Sequence, residues 1–182
     1  MTPTLSFTLR TTFVSLLLSG ASLSPALAAE AGGGPAISGP ATVIDGDTIE
    51  VRGIRIRLYG IDAPEAAQTC EDSAGRSYRC GRAAAHALAG RIGAGTVTCE
   101  PHKDASGRRA AVCRIGHEDL GAWMASHGHA VADRRQSTHY AGAESKAWAT
   151  RRGIWAGTFE EPAEWRRASR SAEAAAGAPR EE

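Results

Sequence analysis

The chain has 182 residues, with 21 lysines and arginines against 20 aspartates and glutamates, for a formal net charge of +1. So even a balance excludes a protein that coats nucleic acid by bulk charge, but not one that grips one or two phosphates at a single place. The length suits one domain with a core large enough to fold alone.

Residues 1–28 read as a secretory signal peptide. Arg10 supplies a weak positive n-region, residues 11–23 an apolar and small-residue stretch, and Ala26-Leu27-Ala28 a small-x-small cleavage site. The apolar run is too short to span a bilayer comfortably. The expectation is an exported protein, periplasmic or secreted, with no membrane span in its mature form. Four cysteines, Cys70, Cys80, Cys99 and Cys113, predict disulfides in that setting. Of the three possible pairings, 70–80, which closes a short loop, and 99–113, which cross-links two strands of a hairpin, are favoured. No Cys-x-x-Cys pair is present, which argues against a zinc site.

Residues 29–40 are rich in Ala, Gly and Pro and read as a flexible leader. Residues 41–62 read as β structure: Val43, Ile44, Ile49 and Val51 flank an Asp-Gly-Asp bend, and Arg52-Gly53 suits a hairpin turn. Ile54, Ile56 and Leu58 then alternate with Arg55, Arg57 and Tyr59, the period of a half-buried strand. Residues 66–78 read as a loop closed by the first cysteine pair, and 81–92 as a helix ended by Gly93 and Gly95. Residues 96–102 and 109–115 read as two strands joined by a turn over 103–108. Residues 120–127 and 140–152 suit two helices, after which Ile154 and Trp155 return an apolar edge to the core. Residues 159–182 are charged, Ala-rich and poor in apolar anchors, and are expected to be mostly disordered. Three strands, a helix and two strands make an α+β, five-stranded OB-fold β-barrel, here with about three packed helices, over residues 41–158.

The chemistry-bearing residues gather early. Asp47 and Asp62 stand where two strands bend or end, and could bring hard carboxylate oxygens to one divalent cation, with a backbone carbonyl and water completing its shell. Glu65, just past Pro64, could take a proton from an attacking water. Arg57 and Arg108 could fork onto phosphate oxygens. Strict alternation would put Arg57 and Asp62 on opposite faces of a strand, because their separation is odd. For both to serve one site the chain must bend between them, and Gly60 is the residue that permits it. Gly46 has the same place between Asp45 and Asp47. The six histidines show no metal-pair spacing, and Trp123, Trp148 and Trp155 fit packing positions.

Asp45-Gly46-Asp47-Thr48, the run from Arg57 to Glu65, and Asp104-Ala105-Ser106-Gly107-Arg108 stand in the order and spacing of the staphylococcal nuclease (thermonuclease) family, which the chain resembles from about Thr42 to Trp155. The resemblance implies calcium ligands at Asp47, Asp62 and the main-chain carbonyl of Ala63, with Asp45 supporting them from behind. It implies a general base at Glu65, phosphate-binding arginines at Arg57 and Arg108, and hydrolysis of DNA and RNA that leaves 3′-phosphates. The family's type member has threonine where Ala63 stands, an aromatic residue often stands in the place of Ser106, and tyrosines occur near Arg134 and Arg135. A nuclease-like OB module that binds nucleic acid without cutting is the alternative. Loss of the acid and arginine set would mark it, and here the set is complete. Nothing in the sequence points to an oligomer or a stable protein partner, so a monomer is expected.

Overall fold

The structure, a computed structural model, describes residues 34–103 and 109–176. The expected signal peptide and the Asp104-to-Arg108 turn, with Ser106 and Arg108, lie outside the described residues.

The first three strands form a meander: β1 (Ile37–Val43), β2 (Thr48–Val51) and β3 (Ile54–Leu58). Ile49, Val51, Ile56 and Leu58 are buried while Glu50 and Arg55 face water, as a period of two dictates. Arg52 and Gly53, both at positive φ, make the tight turn between β2 and β3. A short strand β4 (Ile61–Asp62) follows the bend at Gly60. Next comes a small hairpin, β5 (Cys70–Glu71) with β6 (Ser77–Tyr78), then helix α1 (Cys80–Ile92). The chain continues through β7 (Thr96–Lys103), β8 (Arg109–Ile115) and β9 (Glu118–Asp119) to helix α2 (Leu120–Ser126). After β10 (Val131–Ala132), helix α3 (Ala141–Ala149) and a 3-10 turn at Gly153–Ala156 lead to a last helix, α4 (Pro162–Ala176).

The main sheet runs β3-β2-β1-β7-β8-β9, and β3 also pairs with β8 in parallel, through Arg57 opposite Ala110 and Leu58 opposite Ala111. That last pairing closes five strands into a barrel, the expected α+β OB-type architecture. β1 is shared between both halves: residues 41–43 pair with β2 and residues 37–40 with β7. α1 lays Ala84, Leu88 and Ile92 on the core at four-residue spacing. The Asp119 carboxylate caps α2 by accepting from the Ala122 N–H at 3.0 Å. Tyr140, just before α3, is 2% exposed and fills the space beside Gly60 and Gly121, where an added Cβ would come within 3.0 Å of its ring. Both favoured disulfides are present. Cys70–Cys80 ties the small hairpin to the start of α1, and Cys99–Cys113 joins directly opposed residues of β7 and β8.

Three expectations need correction. The leader does not run to residue 40: residues 37–40 are strand, bonded to residues 96–99, and Ser38 Oγ lies 2.9 Å from Thr98 Oγ1. Gly39 and Pro40 suggested a flexible linker, yet Gly39 is the position where Arg52 crosses close to the backbone. The segment after residue 158 is not mostly disordered, because α4 occupies much of it. Pro162 suits the first turn of a helix, where its missing N–H is no loss, and a run of Ala, Glu and Arg favours continuation. Trp148 is not a packing residue: it is 65% exposed on α3.

Candidate active site

The acidic bend between β1 and β2 is built by its own side chains. The N–H groups of Ile44 and Asp45 donate to the Thr48 carbonyl at 2.9 and 3.2 Å. The Asp47 N–H donates to Asp45 Oδ1 at 3.1 Å, a local turn that only a short polar side chain can make. Gly46 is required by space. A Cβ there would lie 2.7 Å from the Cβ atoms of both Ala63 and Ala84, and neither methyl can rotate away. The bend is thereby pressed against α1 and against the segment that carries Asp62.

Asp47 is buried, and its carboxylate is saturated from three sides. Oδ1 accepts from Thr48 Oγ1 at 2.8 Å, and Oδ2 from Arg57 Nη2 at 2.8 Å and from the Ala63 N–H at 3.2 Å. Burial pushes the Asp47 carboxyl up to about 7, against the opposing pull of Arg57, with the charges of Asp45 and Asp62 adding to the rise. A buried acid so perturbed, beside an arginine and other acids, marks a candidate functional site.

Gly60, at φ +73°, turns the chain so that Arg57 and Asp62 meet despite their odd separation. Arg57 Nη2 donates to Asp62 Oδ1 at 2.6 Å while also holding Asp47. One cationic nitrogen therefore has an oxygen of each aspartate within hydrogen-bond reach. The bend is buttressed on its far side: Asp133 N–H donates to the Gly60 carbonyl at 2.9 Å, and Tyr59 Oη donates to the Gln136 carbonyl at 3.1 Å. Asp62 itself lies in β4, paired with Val131 of β10.

Glu65 follows buried Pro64 and keeps a partly exposed carboxylate. Its backbone is fixed by Gln68, which is fully buried. The Glu65 N–H donates to Gln68 Oε1 at 3.2 Å, and the Gln68 N–H donates back to the Glu65 carbonyl at 2.7 Å. Gly81 in the first turn of α1 packs onto the same carbonyl, so closely that a Cβ would fall 1.8 Å from it.

The structure thus brings together Asp45, Asp47, Arg57, Asp62, Ala63 and Glu65. It also adds a residue that sequence reasoning missed. Arg166, on α4, donates through Nη1 to Asp62 Oδ1 at 2.9 Å and to Glu65 Oε1 at 2.8 Å, and through Nη2 to Asp62 Oδ2 at 2.8 Å. These bonds, led by the one to Asp62, raise the Arg166 guanidinium's pKa well above its ordinary value. The available signal was Pro162 opening a helix-favouring run, with Trp165, Arg166 and Ser169 on one half-buried stripe.

Arg135 stands at the rim, 4.0 Å from Asp62 Oδ2 and bonded to Asp133, while Arg134 pairs with Glu144. Tyr59 and His102 stack nearby with ring centroids 4.6 Å apart. Trp123 and His127 stack at 4.5 Å on α2, and no role in the site falls to them. Among the described residues, no group of three or more His, Cys, Asp or Glu side chains forms a metal nest. The two-carboxylate arrangement of Asp47 and Asp62 nevertheless suits a hard cation that completes its shell with carbonyl and water oxygens.

A closed five-strand barrel carrying buried acids and an arginine at the bend of its third strand defines a nuclease-type OB domain. The sequence pattern of the staphylococcal nuclease homologue family matches residues 55–157, and the chain belongs to that family. Over 130 residues, 69% of this chain and 68% of the relative, it is also 41% identical to the succinoglycan biosynthesis protein ExoI of Rhizobium meliloti (strain 1021). α4 lies beyond the matched family segment.

Proposed function

We propose that this protein is a calcium-dependent phosphodiesterase that hydrolyses DNA and RNA and leaves 3′-phosphates. The observation that carries the reading is the meeting of Asp47 Oδ2 and Asp62 Oδ1 at one cationic nitrogen, Arg57 Nη2. Family membership supports it.

Asp47, Asp62 and the Ala63 carbonyl would hold calcium, with Asp45 bracing the bend behind them. The bound ion would neutralise charge on a phosphate oxygen as phosphorus becomes five-coordinate. The Arg57 Nε–H is buried with no acceptor among the described residues. A phosphate oxygen would satisfy it, and the guanidinium would then stabilise the charge that grows on the phosphate in the transition state. Arg108 is assigned the leaving-oxygen side on the strength of the family pattern. Glu65 orients or deprotonates the attacking water. Arg135, 4.0 Å from Asp62 and 67% exposed, is a guanidinium that a nucleic-acid backbone could meet at the rim of the site.

The disulfides are compatible with an exported protein, which is the setting proposed here. Among the described residues no helix is long and apolar enough to cross a membrane. A second reading, service in succinoglycan biosynthesis without cleavage, is favoured only by the name of the relative.

The test is chelation and substitution on denatured DNA. EDTA should abolish cleavage and calcium restore it, with 3′-phosphate ends on the products. Arg57→Ala should lower the rate by about 10²-fold or more with the fold kept. Chelator-resistant cleavage, or full activity of Arg57→Ala, would overturn the assignment.

A further inference from the structure

Arg166 takes up the lone pairs that the proposed chemistry needs. Both oxygens of Asp62 accept from it, and Asp62 Oδ1 is shared with Arg57. The same guanidinium holds Glu65 Oε1. Asp62 is 3% exposed, so salt and water screen this fork poorly. A divalent cation at Asp62 would face a fixed positive charge at contact distance from its own ligand, and the two would repel.

The helix that delivers Arg166 is anchored at one end only. Its approach is built into the domain. Gln68 Nε2, from the loop that fixes Glu65, donates to the Glu160 carbonyl at 2.6 Å. The Glu71 N–H donates to the Thr158 carbonyl at 2.9 Å, and Gly157 lies against the backbone of Glu71 and Asp72. Pro162, at the top of this foot, is the only fully buried residue of α4. Arg167 pairs within the helix with Glu164, and Arg170 is exposed. Above a fixed foot at residues 157–162, Ala163, Trp165 and Ser169 are half-buried, Arg166 supplies the ion pairs to the site, and residues 170–176 are exposed.

We propose that α4 is an intramolecular latch, in which Arg166 is a resident counter-ion that competes with the divalent cation for Asp62 and ties up Glu65 Oε1 until cation binding displaces it. The inference rests on the functional reading above. A third phosphate-binding guanidinium is the less favoured role, because both terminal nitrogens of Arg166 are already committed to carboxylates.

The test is calcium titration calorimetry on the purified protein, beside Arg166→Ala, Arg166→Lys and the exposed control Arg170→Ala. Hydrogen–deuterium exchange over residues 162–176 is followed in parallel. Arg166→Ala should bind calcium about 10-fold tighter or more, a change of roughly 1.4 kcal/mol. Arg166→Lys, which keeps the charge but loses the fork, should fall between Arg166→Ala and wild type, and Arg170→Ala should match wild type. Calcium should speed exchange in α4 of the wild type, and in Arg166→Ala that exchange should be fast without calcium. Equal calcium affinity in wild type and both Arg166 variants would overturn the latch while leaving the nuclease reading intact. Weaker binding in Arg166→Ala would overturn it too and make Arg166 a positioning residue. Absence of calcium binding in every protein would overturn the latch together with the calcium dependence on which it rests.

Discussion

At the residue scale the site depends on close approach as much as on charge. Gly46 admits the acidic bend between two alanine methyls, so Gly46→Ala must push apart β-carbons that have no other rotamer. We expect a loss of about 1–3 kcal/mol in urea unfolding, the usual cost of overpacking, with weakened calcium binding as Asp47 shifts. Tyr140 buttresses Gly60, and its hydroxyl donates to Asp119 at 2.9 Å. Burial, with the Asp119 charge and hydrogen bond, raises the Tyr140 pKa well above the ordinary tyrosine value. Above pH ~10 an unfolded tyrosine gives up its proton while the folded one retains it. The unfolded state then binds fewer protons, so stability must fall as pH rises beyond that point. Urea unfolding between pH 8 and 11 should show the decline, and Tyr140→Phe should flatten it at a cost in stability near neutrality. A wild-type curve level across that range would contradict the account of Tyr140.

At the scale of elements, two covalent ties and one buried side chain hold the pieces that carry the site. Cys99–Cys113 clamps β7 to β8, and Cys70–Cys80 closes the loop beyond Glu65. Loops of this size suggest about 2–4 kcal/mol per bridge. Reduction should lower the thermal midpoint by several degrees or more, and an unchanged melting curve would contradict a stabilising role. Gln68 bonds both to Glu65 and to the segment that leads into α4. Gln68→Ala would leave the Glu65 N–H and the Glu160 carbonyl without their partner, so we expect about 1–3 kcal/mol of destabilisation. Activity should fall further than calcium affinity, because Gln68 bonds directly to Glu65 and makes no bond to Asp47 or Asp62. Equal losses in both would place the role of Gln68 elsewhere.

At the scale of the whole molecule, the sequence made the barrel and most of the acid cluster legible, because local rules governed them. Alternation marked β2 and β3, and glycine marked the bend that lets Arg57 reach Asp62. A hairpin register made Cys99 and Cys113 partners. What stayed hidden depended on contacts between distant parts. Residues 37–40 are a strand only because β7 offers an edge, a fact absent from a Gly-Pro composition. Arg166 lies 101 residues from Glu65, and no local pattern says which acids a helix so far along the chain will meet. The arrangement as a whole is a closed barrel offering acids and an arginine at one bend, with Arg166 of α4 bonded to two of those acids.

The most direct test of the central claim is phosphodiester cleavage of denatured DNA by the purified protein in calcium, in EDTA, and by Glu65→Ser in calcium. The account predicts cleavage by the wild type in calcium alone and a loss of orders of magnitude in Glu65→Ser with its fold retained. A folded wild type that binds DNA but leaves it intact in calcium would contradict the account and make this domain a binding module.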